Sequence, residues 1–247
     1  MTASIIRNSV ANYCQRNKLN NLSIEAALID MDGVLYDSMK YHTLAWQRMI
    51  SELGISCTRE EFYLYEGMTG AATIDLIFQR AYSRNATPEE IKLLYSRKAE
   101  YFIEMGQKET MPGAKEMLKT LSKRGIKRVL VTGSAQNSLI SRIEEDYPNI
   151  FAPDMRITAN DVVNGKPHPE PYLKGLEKAN VTANKAIVIE NAPLGVKAGH
   201  AAGCFTIGIT TGPIPAKMMS DAGADLVFES MPEFAKLLPT LLDAITG

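Results

Sequence analysis

Across 247 residues the sequence contains no apolar run approaching the roughly 18 residues that a membrane-spanning helix needs. Its opening, Met1-Thr-Ala-Ser-Ile-Ile-Arg-Asn-Ser-Val10, lacks the uninterrupted apolar core of a signal peptide. Cysteine is scarce. Cys14, Cys57 and Cys204 lie far apart with no C-x-x-C, which argues against a disulfide framework and for a reducing compartment. Net charge is nearly absent too: 27 basic against 28 acidic residues leave −1, so no overall field recruits nucleic acid or an anionic membrane. Repeats and low-complexity tracts are missing. So are G-x-x-x-x-G-K-[S/T], G-x-S-x-G, H-E-x-x-H and G-x-G-x-x-G, which counts against P-loop, serine-hydrolase, zincin and dinucleotide chemistry. The expectation is a soluble, cytoplasmic monomer with neither nucleic acid nor membrane as partner.

The length allows one large domain or two unequal ones. Residues 4–20 carry Ile5, Ile6, Val10, Tyr13 and Leu19 at near-helical spacing, an outer amphipathic helix. A first strand follows at about 25–31. From Ser38 to Met105 the pattern is wholly helical, in segments 38–53, 58–64, 70–84 and 87–105, until Met111-Pro-Gly113 punctuates the chain. Beyond it, strands at 127–132, 155–158, 186–189, 204–209 and 225–228 alternate with helices at 113–124, 134–145, 168–179, 192–202 and 231–244. Short apolar strands alternating with helices predict an α/β, doubly wound parallel sheet with helices on both faces. The organisation expected is an extension at 1–22, a core at 23–37 and 112–247, and an inserted helical unit at 38–111.

In such sheets ligands bind outside the carboxyl ends of the strands. Those ends bring Asp30-Met-Asp32, Thr132-Gly133-Ser134, Asn164-Gly-Lys166-Pro167 and Glu190-Asn191 to one rim. Asp30 and Asp32, two apart on an extended chain, project to one side, and two such carboxylates raise one another's pKa unless a cation lies between them. A hard divalent ion fits, and Mg²⁺ characteristically uses one or two carboxylates plus phosphate oxygens. A strand end entering a turn explains D-x-D-G as economically, because Asp and Gly are common there. Lys166 could be a solvated surface charge, but its place at an acidic rim favours a role. Thr132-Gly-Ser134 offers hydroxyls and backbone N–H groups at a helix start, a ready anion site, and reads equally as a turn with a core threonine. Glu190 follows a fully apolar strand, where a carboxylate is costly unless paired or metal-bound.

Taken in order, Asp30-Met-Asp32-Gly-Val-Leu-Tyr-Asp37-Ser38, Val129-Leu-Val-Thr132-Gly-Ser134, Gly165-Lys166-Pro167 and Ile187-Val-Ile-Glu190-Asn191-Ala-Pro-Leu-Gly195 resemble the four motifs of the haloacid dehalogenase-like superfamily. The resemblance runs from about residue 25 to 230 and is nearest to the β-phosphoglucomutase-like and sugar-phosphate phosphatase members with a small helical cap. It implies a Rossmann-like core with the 38–111 insertion as the cap. It also implies Asp30 as nucleophile, Asp32 as general acid and base, and Thr132 and Lys166 as holders of the transferring phosphoryl group. Mg²⁺ would be held by Asp30, the backbone carbonyl of Asp32, Glu190 and Asn191. Gly133, Ser134, His42, Lys98 and the cap loop Gly67-Met68-Thr69-Gly70 would meet a small phosphorylated substrate. Trp46 sits in the same stretch as His42, although a packing role suits it better.

Departures from that pattern direct the choice of reaction. Asn191 stands where the family usually has Asp. Gly70 stands where mutases carry an arginine for the second phosphate, and Ala135-Gln136 where they carry Lys-Asn. Each lost charge-assisted bond is worth roughly 1.5–3 kcal/mol, which favours transfer to water. The expectation is a Mg²⁺-dependent phosphatase acting on a sugar phosphate, with a β-phosphoglucomutase as the alternative and a non-catalytic sugar-phosphate binder as the third reading. Asp37 is expected to cap or hinge the first cap helix.

Overall fold

The computed structural model describes residues 1–106, 109–134 and 137–246. Helix α1 (Ala3–Arg16) lies outside the core, pinned by Ile6, Val10 and Tyr13. Strand β1 (Ala26–Ile29) then enters the middle of the sheet. Four helices follow before the next strand: α2 (Met39–Ser51), α3 (Arg59–Leu64), α4 (Gly70–Tyr82) and α5 (Pro88–Glu104). Their starts are written locally. Thr58 with Glu61 and Thr87 with Glu90 form reciprocal capping boxes, Pro88 sits in the first turn of α5, and Thr69 caps α4 by accepting from Ala72 N.

The remaining chain alternates as its pattern foretold: α6 (Ala114–Lys123), β2 (Lys127–Val131), α7 (Asn137–Asp146), β3 (Arg156–Ile157), α8 (Glu170–Ala179), β4 (Ala186–Glu190), α9 (Pro193–Ala201), β5 (Phe205–Ile209), α10 (Ala216–Asp221), β6 (Leu226–Phe228) and α11 (Met231–Thr246). The strands form one parallel sheet in the order β3-β2-β1-β4-β5-β6, with Leu28 opposite Val129 on one side and Val188 on the other. Side chains alternate between its faces. Ala27, Ile29, Leu130, Ile187 and Ile189 pack into the larger core with α1, α6 and α11, while Leu28, Val129, Val131 and Val188 pack against Tyr172, Leu176 and Ala198 of α8 and α9. Every residue of β4 and β5 is buried, as expected of parallel strands covered on both faces.

Two local expectations need adjustment. Helix α10 was not anticipated, because only Met219 of its six residues is buried and so no apolar period announces it. Asp37 does not cap α2: the capping position belongs to Ser38, and the Asp37 carboxylate pairs instead with Lys40 at 2.6 Å. The Ala135-Gln136 pair lies outside the described residues.

Candidate active site

The strand ends do converge. Asp30 follows β1 directly and its N–H donates to Ile189 O of β4, while Thr132, directly after β2, donates its N–H to Ile157 O of β3. The buried ammonium of Lys166, only 2 % exposed, stands between two carboxylates: it donates to Asp30 Oδ1 and Glu190 Oε1, each at 2.5 Å, and to Val131 O at 3.2 Å. Burial alone would drive the lysine's proton off, but Asp30 and Glu190 outweigh it and hold the ammonium above its ordinary range. Such a triad is stable only because every charge is paired in place. Burial also lifts the Asp30 carboxyl, against the pull of Lys166 and with the help of the Glu190 and Asp32 charges.

Glu190 is engaged at both oxygens. Oε1 takes Lys166 and the Tyr172 hydroxyl at 2.6 Å, and Oε2 takes the N–H groups of Asn191 at 3.0 Å and Ala192 at 3.2 Å. Gly195 is needed beside it, since a Cβ there would stand 1.8 Å from Glu190 Oε1.

Asp32 belongs to a second network. Its Oδ1 accepts from Ser38 Oγ at 2.5 Å and faces His42 Nε2 at 3.0 Å, and His42 Nδ1 meets Lys98 Nζ at 2.6 Å. Burial would raise the Asp32 carboxyl, yet His42, Ser38 and Lys98 together hold it below the usual range. Lys98 is sunk among Trp46, Tyr95 and Phe102, its ammonium 5.3–5.9 Å from their ring centres, and desolvation lowers its pKa to about 7. A lysine so poised changes charge near neutrality, and through the imidazole it is one proton relay away from Asp32.

The third group is one that motif spacing did not single out. Asn191 Nδ2 donates to Glu66 Oε1 at 2.7 Å, across from the helical insertion to the core. Burial pushes the Glu66 carboxyl well up, and the Asp30, Glu190 and Asp32 charges add to it. Asn191 Oδ1 is buried with no hydrogen-bond partner. Gly33, in the left-handed region at φ 77°, lets Asn191 sit against the turn after Asp32; a Cβ there would stand 1.9 Å from Asn191 Nδ2. Among the described residues no three His, Cys, Asp or Glu side chains converge as a metal cluster. The donor set is instead mixed. An orphaned amide oxygen, the Asp30 carboxylate and a buried, charge-crowded Glu66 suit a hard cation better than a soft one.

The insertion is closed over this rim. A Cβ on Gly133 would stand 2.7 Å from Gly67 O, and one on Gly165 2.7 Å from Thr69 Cγ2. Between the layers is a cavity of about 70 Å³, lined by Asp30, Asp32, Thr132, Gly133 and Ser134 from the core, and by His42, Trp46, Glu66, Gly67, Met68 and Lys98 from the insertion. Thr69 is not among the lining residues; its hydroxyl is spent on the α4 cap. Thr132 Oγ1 accepts from Ser134 N at 3.0 Å, which sets the turn. Gly70 has a steric reason: a Cβ there would meet the Tyr95 ring at 2.2 Å, so the ring fills the place from which a longer side chain would project. Ser38, Glu66 and Tyr95 were thus missed. Ser38 ends the first quoted motif and Glu66 adjoins the cap loop, whereas nothing in the sequence around Tyr95 announces its position.

The family model for haloacid dehalogenase-like hydrolases matches residues 27–209. A phosphorylated carbohydrates phosphatase from Thermotoga maritima is 29 % identical over 203 residues, 81 % of this chain and 92 % of the relative. Glycerol-1-phosphate phosphohydrolase 2 from Saccharomyces cerevisiae is 30 % identical over 218 residues, covering 85 % and 84 %. Among solved structures, a candidate β-phosphoglucomutase from Bacteroides vulgatus superposes with a TM-score of 0.96 at 42 % identity over 100 % of both chains.

Proposed function

Since the chain belongs to the haloacid dehalogenase-like hydrolase family and its phosphatase and phosphotransferase branch, we propose that it is a Mg²⁺-dependent phosphatase of small phosphorylated metabolites working through an aspartyl-phosphate. The observation that carries this reading is the division of the two strand-end carboxylates. Asp30 is held by Lys166 and Asp32 by Ser38 and His42, in separate networks.

In the first step an Asp30 carboxylate oxygen attacks phosphorus while the bond to the leaving oxygen breaks. Lys166 and Thr132 hold the transferring group, and Lys166 offsets its charge. The leaving oxygen takes from Asp32 a proton that Lys98 supplies to it through His42, which leaves Asp32 a carboxylate. In the second step Asp32, again a carboxylate, takes a proton from water as that water's oxygen attacks phosphorus, which frees Asp30 and releases phosphate. Asp30, the Asp32 backbone carbonyl, Asn191 Oδ1 and Glu66 are the groups that would hold Mg²⁺, with Glu190 anchoring Lys166 beside them. When bound, the ion neutralises charge on the phosphoryl oxygens. Residues 38–111 act as the cap that excludes bulk water.

Relatives act on phosphorylated carbohydrates and glycerol 1-phosphate by name, so sugar and polyol phosphates are the substrate class. Within it the cavity of about 70 Å³ favours the compact end, since pockets for drug-sized ligands run to roughly 300–1,000 Å³. A short polyol, or a second phosphate as the smallest leaving group, suits the space under Tyr95 better than a hexose. The absence of a basic group at Gly70 argues in the same direction against a mutase holding a bisphosphate at both ends.

The test is a panel of hexose phosphates, glycerol phosphate and pyrophosphate with Mg²⁺, read for phosphate release, alongside conversion of β-glucose 1-phosphate to glucose 6-phosphate. Release that vanishes in Asp30→Asn supports the reading. Fast isomerisation with little release would replace it with the mutase, and ligand-induced thermal stabilisation without either reaction would replace it with the binder.

A further inference from the structure

Lys166 has three N–H groups, and all three are committed, to Asp30, Glu190 and Val131 O. For the ammonium to reach a phosphoryl group one of these bonds must yield, and the outcome depends on how tightly Glu190 holds its share. Glu190 Oε2 is fixed by two backbone N–H groups. Its Oε1, the oxygen that faces Lys166, has one further partner, the hydroxyl of Tyr172.

Tyr172 lies in the first turn of α8, six residues after Lys166, and is fully buried. The face of its ring lies beneath the same ammonium, with Lys166 Nζ 5.1 Å from the ring centre. It therefore touches the lysine from below and the lysine's anchor from the side. A phenylalanine would fill the same space among Leu28, Val131 and Leu176, so packing explains the ring but not the hydroxyl. A buried hydroxyl is costly unless it is used, and here its use is to share the oxygen for which Lys166 competes.

We propose that Tyr172 is a positioning residue for Lys166. By donating to Glu190 Oε1 and lying under the ammonium, it keeps the lysine balanced between Glu190 and Asp30. Without the hydroxyl, Oε1 has Lys166 as its only side-chain donor among the described residues and draws the ammonium away from Asp30. The consequence for turnover rests on the phosphatase reading above; the consequence for the lysine does not.

Tyr172→Phe tests both. Lysine ammonium groups labelled with ¹⁵N are observed directly by NMR, and the Lys166 resonance is assigned by its loss in Lys166→Met. In Tyr172→Phe that resonance is expected to shift while the other lysines stay in place. The kcat for phosphate release should fall about tenfold or more, the scale seen when hydrogen-bond partners behind metal-site ligands are removed, with KM within twofold. A loss of packing alone would lower the melting temperature and leave the Lys166 resonance and kcat where they are. An unmoved resonance, or a kcat within twofold of wild type, overturns the proposal. If the wild-type protein releases no phosphate from any donor, the phosphatase reading fails while the resonance still decides the positioning role. Tyr172→Met, which fills the space without ring or hydroxyl, gives the same readout should the first variant not accumulate.

Discussion

Asn191→Asp would restore the charge usual in this family, and the structure says what that charge would meet. Asn191 Nδ2 donates to Glu66 Oε1 at 2.7 Å, and a carboxylate in its place has no proton to offer. Losing a hydrogen bond to a carboxyl group costs about 1.5–3 kcal/mol, and a buried like-charge contact adds to it. For a chain of this size each kcal/mol moves the midpoint by about 2–4 °C, so the variant without Mg²⁺ should melt roughly 3–12 °C lower. The sign with pH follows from Glu66. Its pKa is raised in the folded state, mainly by burial, so the folded protein keeps a proton that the unfolded chain releases. The penalty is absent below the unfolded carboxylate range and grows as pH rises. A protonated Glu66 can donate to the new carboxylate, so the deficit should shrink between pH 8 and pH 5. Magnesium should reverse it, because tighter binding to the folded state stabilises by RT ln(1 + [Mg²⁺]/Kd). The assay is thermal melting of both proteins in EDTA and across a MgCl₂ titration. Equal midpoints in EDTA, or a Mg²⁺ affinity no tighter than wild type, would refute the pairing of Asn191 with Glu66 at a cation site.

Other variants test the remaining parts. Burial lowers the Lys98 pKa to about 7, so its buried ammonium costs up to about 5 kcal/mol at pH 6; that cost is relieved as pH rises from about 7 toward the ordinary lysine range. Lys98→Met should therefore melt higher than wild type at pH 6, with the gap closing by pH 10, and a pH-independent gap would contradict the buried charge. The same variant should slow turnover and change its pH profile, since the relay to Asp32 is cut. Gly70→Arg should lose about 1–3 kcal/mol to overpacking against Tyr95. Adding Tyr95→Ala should recover that stability and widen the substrates accepted, measured as kcat/KM for glycerol phosphate against a hexose phosphate; an unchanged ratio would remove Tyr95 from the account of specificity.

The sheet was legible because each strand is a short apolar run bounded by turn residues, and the helices of the insertion because Thr58, Thr69 and Thr87 announce their starts. The rim was legible for a topological reason: Asp30, Thr132 and Lys166 follow strands and Glu190 ends one, and parallel strands deliver their ends to one edge. What could not be read were contacts made across the fold. Glu66 reaches Asn191 over 125 positions, Tyr95 lies against Gly70 on a neighbouring helix, and Tyr172 meets Glu190 from the layer beneath. Asp37 was expected to cap or hinge the first cap helix, whereas Ser38 takes the capping position and spends its hydroxyl on Asp32. In each case the residue type is ordinary, and only the partner brought close by folding gives it a role.

The central claim is that Asp30 carries the phosphoryl group between donor and water. Rapid acid quench of a single turnover, followed by borohydride reduction, converts a phosphorylated aspartate to homoserine, which mass spectrometry locates in the peptide. The account predicts that change at Asp30 and nowhere else, with its loss in Asp30→Asn. Phosphate released in the same turnover with every aspartate unmodified, or with the label at Asp32, would contradict it.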